Sequence, residues 1–153
     1  METLERILAE HPFLQGLDQS YVALLVGCAS NVVFRAEEQL FREGTPANQF
    51  FIIRHGDVAV ELHVPGRGAL TIDTVHEGEV LGWSWLVPPY RWSFSARALT
   101  LTRAIAFDGA CLRAKCEENH DLGYELLRRF STVMAERLQS TRLQLMDLYG
   151  SGR

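Results

Sequence analysis

Lysine is nearly absent from this chain. Of its 15 basic residues only Lys115 is not arginine, and the arginines are scattered rather than grouped. Against 19 acidic residues they leave a net charge of −4, so nothing electrostatic points to nucleic acid as a direct partner. Long apolar runs are also missing. None approaches the roughly 18 residues that cross a bilayer, so no membrane role is expected. The opening Met1-Glu2-Thr3-Leu4-Glu5-Arg6 is acidic and amphipathic, unlike a secretory signal. Cysteine is scarce and odd in number, and Cys28, Cys111 and Cys116 have no framework spacing. Three reduced thiols in a cytoplasmic protein are the simplest reading. The 5 histidines include no His-x-His pair, and Cys111 with Cys116 lacks a third and fourth ligand, so no metal site is expected. Ser84 lies in no nucleophile-elbow pattern. No enzyme reading has positive support.

What is present is ample apolar content, 47% of 153 residues, enough for one domain with a packed core. Residues 1–30 read as helical, with Pro12 breaking the pattern and Asp18 placed as an N-cap. Residues 31–107 change character. Runs rich in Val, Ile, Phe and Thr occur at 31–35, 39–42, 49–54, 58–63, 70–75, 79–81, 92–99 and 101–107. Turn signals separate them: Glu43-Gly44, Gly56-Asp57, Pro65-Gly66-Arg67-Gly68, Glu77-Gly78 and Val87-Pro88-Pro89-Tyr90. Short strands with regular turns and no intervening long helices predict a mainly β jelly roll flanked by helices, an α+β arrangement. Asp108 then caps a short helix, and Asn119 or Asp121 opens a long one ending near Tyr149. The predicted organisation is a domain over 1–118, a long helix over 119–149 and a tail over 150–153.

Thirty helical residues at about 1.5 Å each give a rod of about 45 Å, longer than a small β domain needs to cover its own face. Leu127, Ser131, Met134, Leu138, Thr141, Leu145 and Leu148 step alternately by four and three, the pattern of a coiled-coil seam. Leu126, Phe130 and Val133 form a second apolar set beside its first half. The expectation is that this second set packs on the β domain while residues 127–148 meet another copy of the chain. Thr141, polar among leucines, is then either a register mark or a ligand contact.

In their order, several segments carry a resemblance. They are Glu43-Gly44, Phe50-Phe51-Ile52-Ile53, Gly56-Asp57-Val58, Gly78-Glu79-Val80-Leu81-Gly82, Ser95-Ala96-Arg97-Ala98 and Met134-Ala135-Glu136-Arg137-Leu138-Gln139-Ser140-Thr141. The set resembles the cyclic nucleotide-binding domain, and its last segment resembles the dimer helix of the catabolite activator protein branch. The resemblance implies a small-ligand sensor with a phosphate-binding cassette following Gly82. In that family the cassette offers an acidic residue to a ribose hydroxyl, then an Arg to the cyclic phosphate, then Ser or Thr.

Here the cassette reads Gly82-Trp83-Ser84-Trp85-Leu86-Val87-Pro88-Pro89-Tyr90-Arg91-Trp92-Ser93. Trp83 stands at the acidic position and, with the strand aligned through Arg97-Ala98, Trp92 stands at the Arg position, while Ser93 matches. A buried cyclic phosphate needs a fixed cation or several amides, so losing both partners weakens nucleotide binding by several kcal/mol. Arg91 is one residue away, and on a strand one residue reverses the face. It replaces the missing Arg only if the Pro88-Pro89 loop shifts the register. Arg97 reads as a surface or inter-strand contact, and Arg91 between Tyr90 and Trp92 is placed for a cation–π contact. All 3 tryptophans fall in this segment, with Tyr90 and Phe94 beside them. Two readings follow: a pocket remade for an apolar or planar ligand, or rings that fill the old pocket.

The expected function is a standalone, homodimeric sensor of the cyclic nucleotide-binding type. Its candidate ligand residues are Gly82, Trp83, Ser84, Trp85, Arg91, Trp92, Ser93 and Thr141. The candidate ligand is a cyclic nucleotide or another small planar molecule, and a downstream protein partner reads the change. With only four residues after Tyr149 no recognition helix is expected, hence no DNA binding by this chain. The alternative is a ligand-free structural dimer or adaptor.

Overall fold

The N-terminal helical signals resolve into three short pieces in the computed structural model, which describes residues 3–151. Helix α1 spans Leu4–Glu10, a single 3₁₀ turn spans Pro12–Leu14, and α2 spans Gln19–Val26. Thr3 and Asp18 cap the two helices through side-chain oxygens that accept from Arg6 and Ser20 N–H. Eight strands follow: β1 Ala29–Phe34, β2 Gln39–Phe41, β3 Gln49–His55, β4 Val58–Val64, β5 Gly68–Val75, β6 Val80–Leu81, β7 Ser95–Ala98 and β8 Thr102–Asp108. They form two four-stranded antiparallel sheets, ordered β1-β8-β3-β6 and β2-β7-β4-β5. This is the jelly roll expected from the sequence, with one shortened element. The run predicted over 92–99 becomes a strand only at Ser95, because Trp92 and Phe94 sit in an irregular approach to it.

Strands β3 and β8, in the middle of the first sheet, are buried on both faces. Phe50, Ile52, Ile105 and Phe107 point toward the helices, while Phe51, Ile53, Ala104 and Ala106 point toward the other sheet. Side chains alternate across a pleat, so such a strand reads as a continuous apolar run. On β8 the inner face carries the small side chains of Ala104 and Ala106, which leave room for Phe51 and the cassette aromatics.

Helices α3 (Gly109–Glu118) and α4 (His120–Ser151) close the helical layer. Asp108 caps α3, and the Asn119 side chain accepts from Leu122 N–H at the start of α4. Leu122, Leu126 and Phe130 are fully buried against Phe50, Trp85 and α2. Past Met134 the helix rises off the core, and from Leu138 to Gly150 every residue is exposed. The helix also continues through Gly150 and Ser151, which corrects the expected tail; residues 152–153 lie outside the described residues. No helix of the described residues is long and apolar enough to cross a membrane.

The thiols differ from expectation. Cys28 and Cys111 form a disulfide, and only Cys116 is free. The sequence hides this pair because 83 residues separate the two. The fold brings them together: Asp108 N–H donates to Cys28 O at 2.8 Å, which sets the first turn of α3 beside the start of β1. The resulting Cα–Cα distance of 5.7 Å is within disulfide reach. Titrating the unfolded, unreduced protein should therefore find a single thiol per chain, and three would refute the bridge. Reduction should cost about 2–4 kcal/mol of unfolding free energy in matched denaturant melts.

His11 ties the N-terminal turn to β3. Its Nδ1 accepts from Phe13 N–H, so Nε2 carries the proton and donates to Ile53 O at 3.1 Å. Burial, with Arg54 nearby, holds this imidazole below the ordinary value of 6.5. Below that value the unfolded chain takes up a proton that the folded chain refuses. His11 thus favours folding above about pH 6.5 and loses its contribution as pH falls through the lower folded value. Stability measured between pH 7 and 5 should fall less steeply in His11→Gln than in the parent chain.

Candidate ligand site between the roll and the long helix

Residues 44–47 and 90–92 run antiparallel in the cassette. Gly44 N–H donates to Trp92 O, Trp92 N–H donates to Thr45 O, and Ala47 N–H donates to Tyr90 O, at 2.7–3.0 Å. Pro46 and Arg91 form the bridge between them. This pairing decides which way each side chain points. Trp92 turns inward and lies flat on Phe41, with centroids 3.6 Å apart and planes 9° from parallel. Arg91 turns outward, and its Nη1 donates to Gly44 O at 2.8 Å.

Inward Trp92 covers Gly82. At φ +96° Gly82 has a backbone that side chains rarely adopt, and a Cβ there would meet the indole at 2.8 Å. Only glycine lets the ring close over this corner. Beyond it lies a cavity of about 680 Å³ between the second sheet and α4. Gly82, Trp83, Ser93 and Thr141 line it. The other four candidates do not, which corrects the expectation of one site holding all eight. Trp92 is in the inter-sheet core, and Arg91 is outside. Ser84 is buried away from the cavity lining. Trp85 is fully buried in the helical layer, 5.1 Å from Phe50 and 5.6 Å from Phe130. Its indole N–H has no hydrogen-bond partner among the described residues, so shape rather than polarity fixes it. The cation–π contact is also reassigned, since Arg113 rather than Arg91 lies over Tyr90, at 4.6 Å. The same Arg113 donates to Trp85 O, pinning the loop to α3. Tyr90 is held at a positive φ of 58° between these contacts.

Arg137 is the residue that sequence reasoning missed. It pairs with Asp73 on β5, lies 3.9 Å from Glu79 and donates to Val80 O, which fastens α4 across the cavity mouth. An exposed-looking Arg in a helix gave no sign of this, because Asp73 is 64 residues away. Thr141, one turn on, donates its hydroxyl to Arg137 O at 2.9 Å. Arg97 makes the expected inter-strand contact, pairing with buried Glu61 and with Glu37 on the outer face.

The family model for the cyclic nucleotide-binding domain matches residues 31–119, more than half of the chain. The chain belongs to that family. The family is one of regulatory sensor domains, not enzymes. A CRP-like cAMP-activated global transcriptional regulator of Mycobacterium tuberculosis (strain CDC 1551 / Oshkosh) is 28% identical over 145 residues, 95% of this chain. The chain spans 63% of that regulator's length. The fold matches a cyclic nucleotide-binding domain from Methylobacillus flagellatus KT, with 20% identity and a TM-score of 0.81 over 94% of this chain and 83% of that one. It also matches the Thermus thermophilus catabolite activator protein, with 21% identity and a TM-score of 0.70 over 90% and 63% of the two chains.

The Gly82 geometry makes a comparative prediction. Gly44 also has positive φ, at +85°, but open space around its Cβ position. Gly44→Ala should cost about 1–2 kcal/mol from backbone strain alone. Gly82→Ala should cost about 1–3 kcal/mol more, because Trp92 must move. Equal losses in chemical denaturation would mean that the ring does not close this corner.

Proposed function

We propose that this domain is a homodimeric regulatory sensor whose cavity between the β-roll and α4 takes a small ligand, and whose cassette no longer grips a cyclic nucleotide. The observation that carries the reading is the cavity's construction. One wall is the roll and the other is α4 from Met134 to Leu148. A ligand that contacts both walls changes how α4 sits, and that differential contact is what a switch requires.

Self-association is supported by the seam. Leu127, Leu138, Leu145 and Leu148 are 50%, 52%, 49% and 68% exposed, spaced as a and d positions. Large aliphatic groups so placed gain by burial against a second copy. The weakened hold on nucleotide is supported by Trp92 over Gly82 and by Arg91 pointing away from the cavity. The filled corner also favours a second reading, a ligand-free adaptor dimer. A protein partner reads α4 in either case.

Native mass spectrometry should give a dimer, and Leu138→Glu should give monomers that keep the parent's far-ultraviolet circular dichroism. A monomeric parent sinks the seam. Saturating cAMP or cGMP should leave the melting temperature unchanged, whereas a specific ligand would raise it by mass action. Stabilisation by either nucleotide overturns the altered-cassette reading. A small molecule released from the purified dimer on denaturation would favour the sensor over the adaptor.

A further inference from the structure

We infer that the cavity is selective for an uncharged, predominantly apolar molecule. This rests on the reading of the cavity as a ligand site and adds the class of ligand. Val60, Leu62 and Leu70 face Leu138, Leu145 and Leu148 across the space, with Trp83 and Phe94 closing one end edge to face. The lining holds only two charged side chains, Asp73 and Arg137, and these neutralise each other. Glu79 stands 3.9 Å from the same guanidinium, so the cluster carries one positive and two negative charges.

An anion entering this space meets no free cation. It would have to draw Arg137 from Asp73 and Glu79, leaving two carboxylates unpaired and α4 unfastened. A cation is offered only the surplus charge of Glu79, which lies outside the cavity lining with its side chain 45% exposed to water. A buried charge without a partner is strongly disfavoured, whereas apolar surface gains by leaving water. The backbone corner at Gly82, where amides would otherwise face an anion, is capped by the Trp92 ring.

The remaining polar lining is neutral: Thr71, Ser93, Thr141 and Gln144. The Thr141 hydroxyl already donates to Arg137 O, so what it offers a ligand is an acceptor lone pair. A ligand with an apolar body and one hydroxyl or N–H donor complements this wall, with the donor directed to α4.

Two dyes of almost the same shape test the class. N-phenyl-1-naphthylamine is neutral, and 8-anilinonaphthalene-1-sulfonate adds an anionic group. The neutral dye should bind the full chain at one per chain, with energy transfer from tryptophan, and at least about tenfold tighter than the sulfonate. Ile72→Gln, on β5 and off the α4 seam, should weaken it about fivefold without changing the native mass. Equal or tighter binding of the sulfonate overturns the proposal. So does failure of the neutral dye to bind, an effect of Ile72→Gln no larger than that of an exposed control such as Arg67→Gln, or displacement of the dye by cAMP. A monomeric native mass with dye binding intact removes the dimer reading and leaves the ligand class standing.

Discussion

The flat contact between Trp92 and Phe41 is the constraint on which the rest of the site depends. An indole stacked at 3.6 Å on a ring of β2 has no freedom to swing. Its position obliges residue 82 to be glycine, and the pairing of residues 90–92 with 44–47 that turns the indole inward also sends Arg91 to the outer surface. The corner at Gly82 is thereby part of the core, and the open space lies between the β4–β5 hairpin and α4. On the proposed reading, this packing stands where the cassette of the family would grip its ligand.

The tryptophans show how one short segment serves three environments. Trp85 completes the helical layer, sandwiched among Phe50 and Phe130. Trp92 completes the inter-sheet layer beside Phe41 and Phe94. Trp83, between them in sequence, is left half-buried at the cavity wall. The segment therefore fastens the two cores to each other, and α3 secures it from outside through Arg113. Clustering in sequence left two readings open, a remade pocket or rings that fill it, and the turns between these residues distribute them to different faces, Trp85 and Trp92 in the cores and Trp83 at the cavity.

What was legible in the sequence followed from local physics. The strands could be placed because turn glycines punctuate them: Gly44, Gly56 and Gly78 all adopt positive φ at strand junctions. The α4 core face was legible from the spacing of Leu126 and Phe130, and Asp18 and Asp108 from their capping positions. What was hidden depends on distant partners. Neither the Cys28–Cys111 bridge nor the Arg137–Asp73 pair has a local signal, since each joins elements far apart in the chain. The start of β7 was misplaced for a related reason. Trp92 and Phe94 have strand-like alternation, yet Trp92 pairs with a loop rather than with a strand.

In the proposed dimeric sensor, the leucines of α4 would place binding and association in one linkage. Leu138, Leu145 and Leu148 belong both to the cavity lining and to the a/d seam. A residue on a helix has one side chain, so burying it against a ligand changes what it offers a second helix. If the loaded cavity draws these leucines toward the roll, the seam loses apolar area and the ligand weakens the dimer. If the ligand instead props α4 at the angle the partner helix needs, it strengthens the dimer. By thermodynamic reciprocity the dimer then changes ligand affinity by the same factor and in the same sense. Arg137 anchors the helix at Asp73 and Val80 just before Leu138, so a shift driven by the proposed ligand would fall in the segment that follows. The first half of α4, with Leu122, Leu126 and Phe130 fully buried, is a fixed mount. The least buried part of the described helix is thus the stretch where the proposed ligand and partner surfaces would overlap.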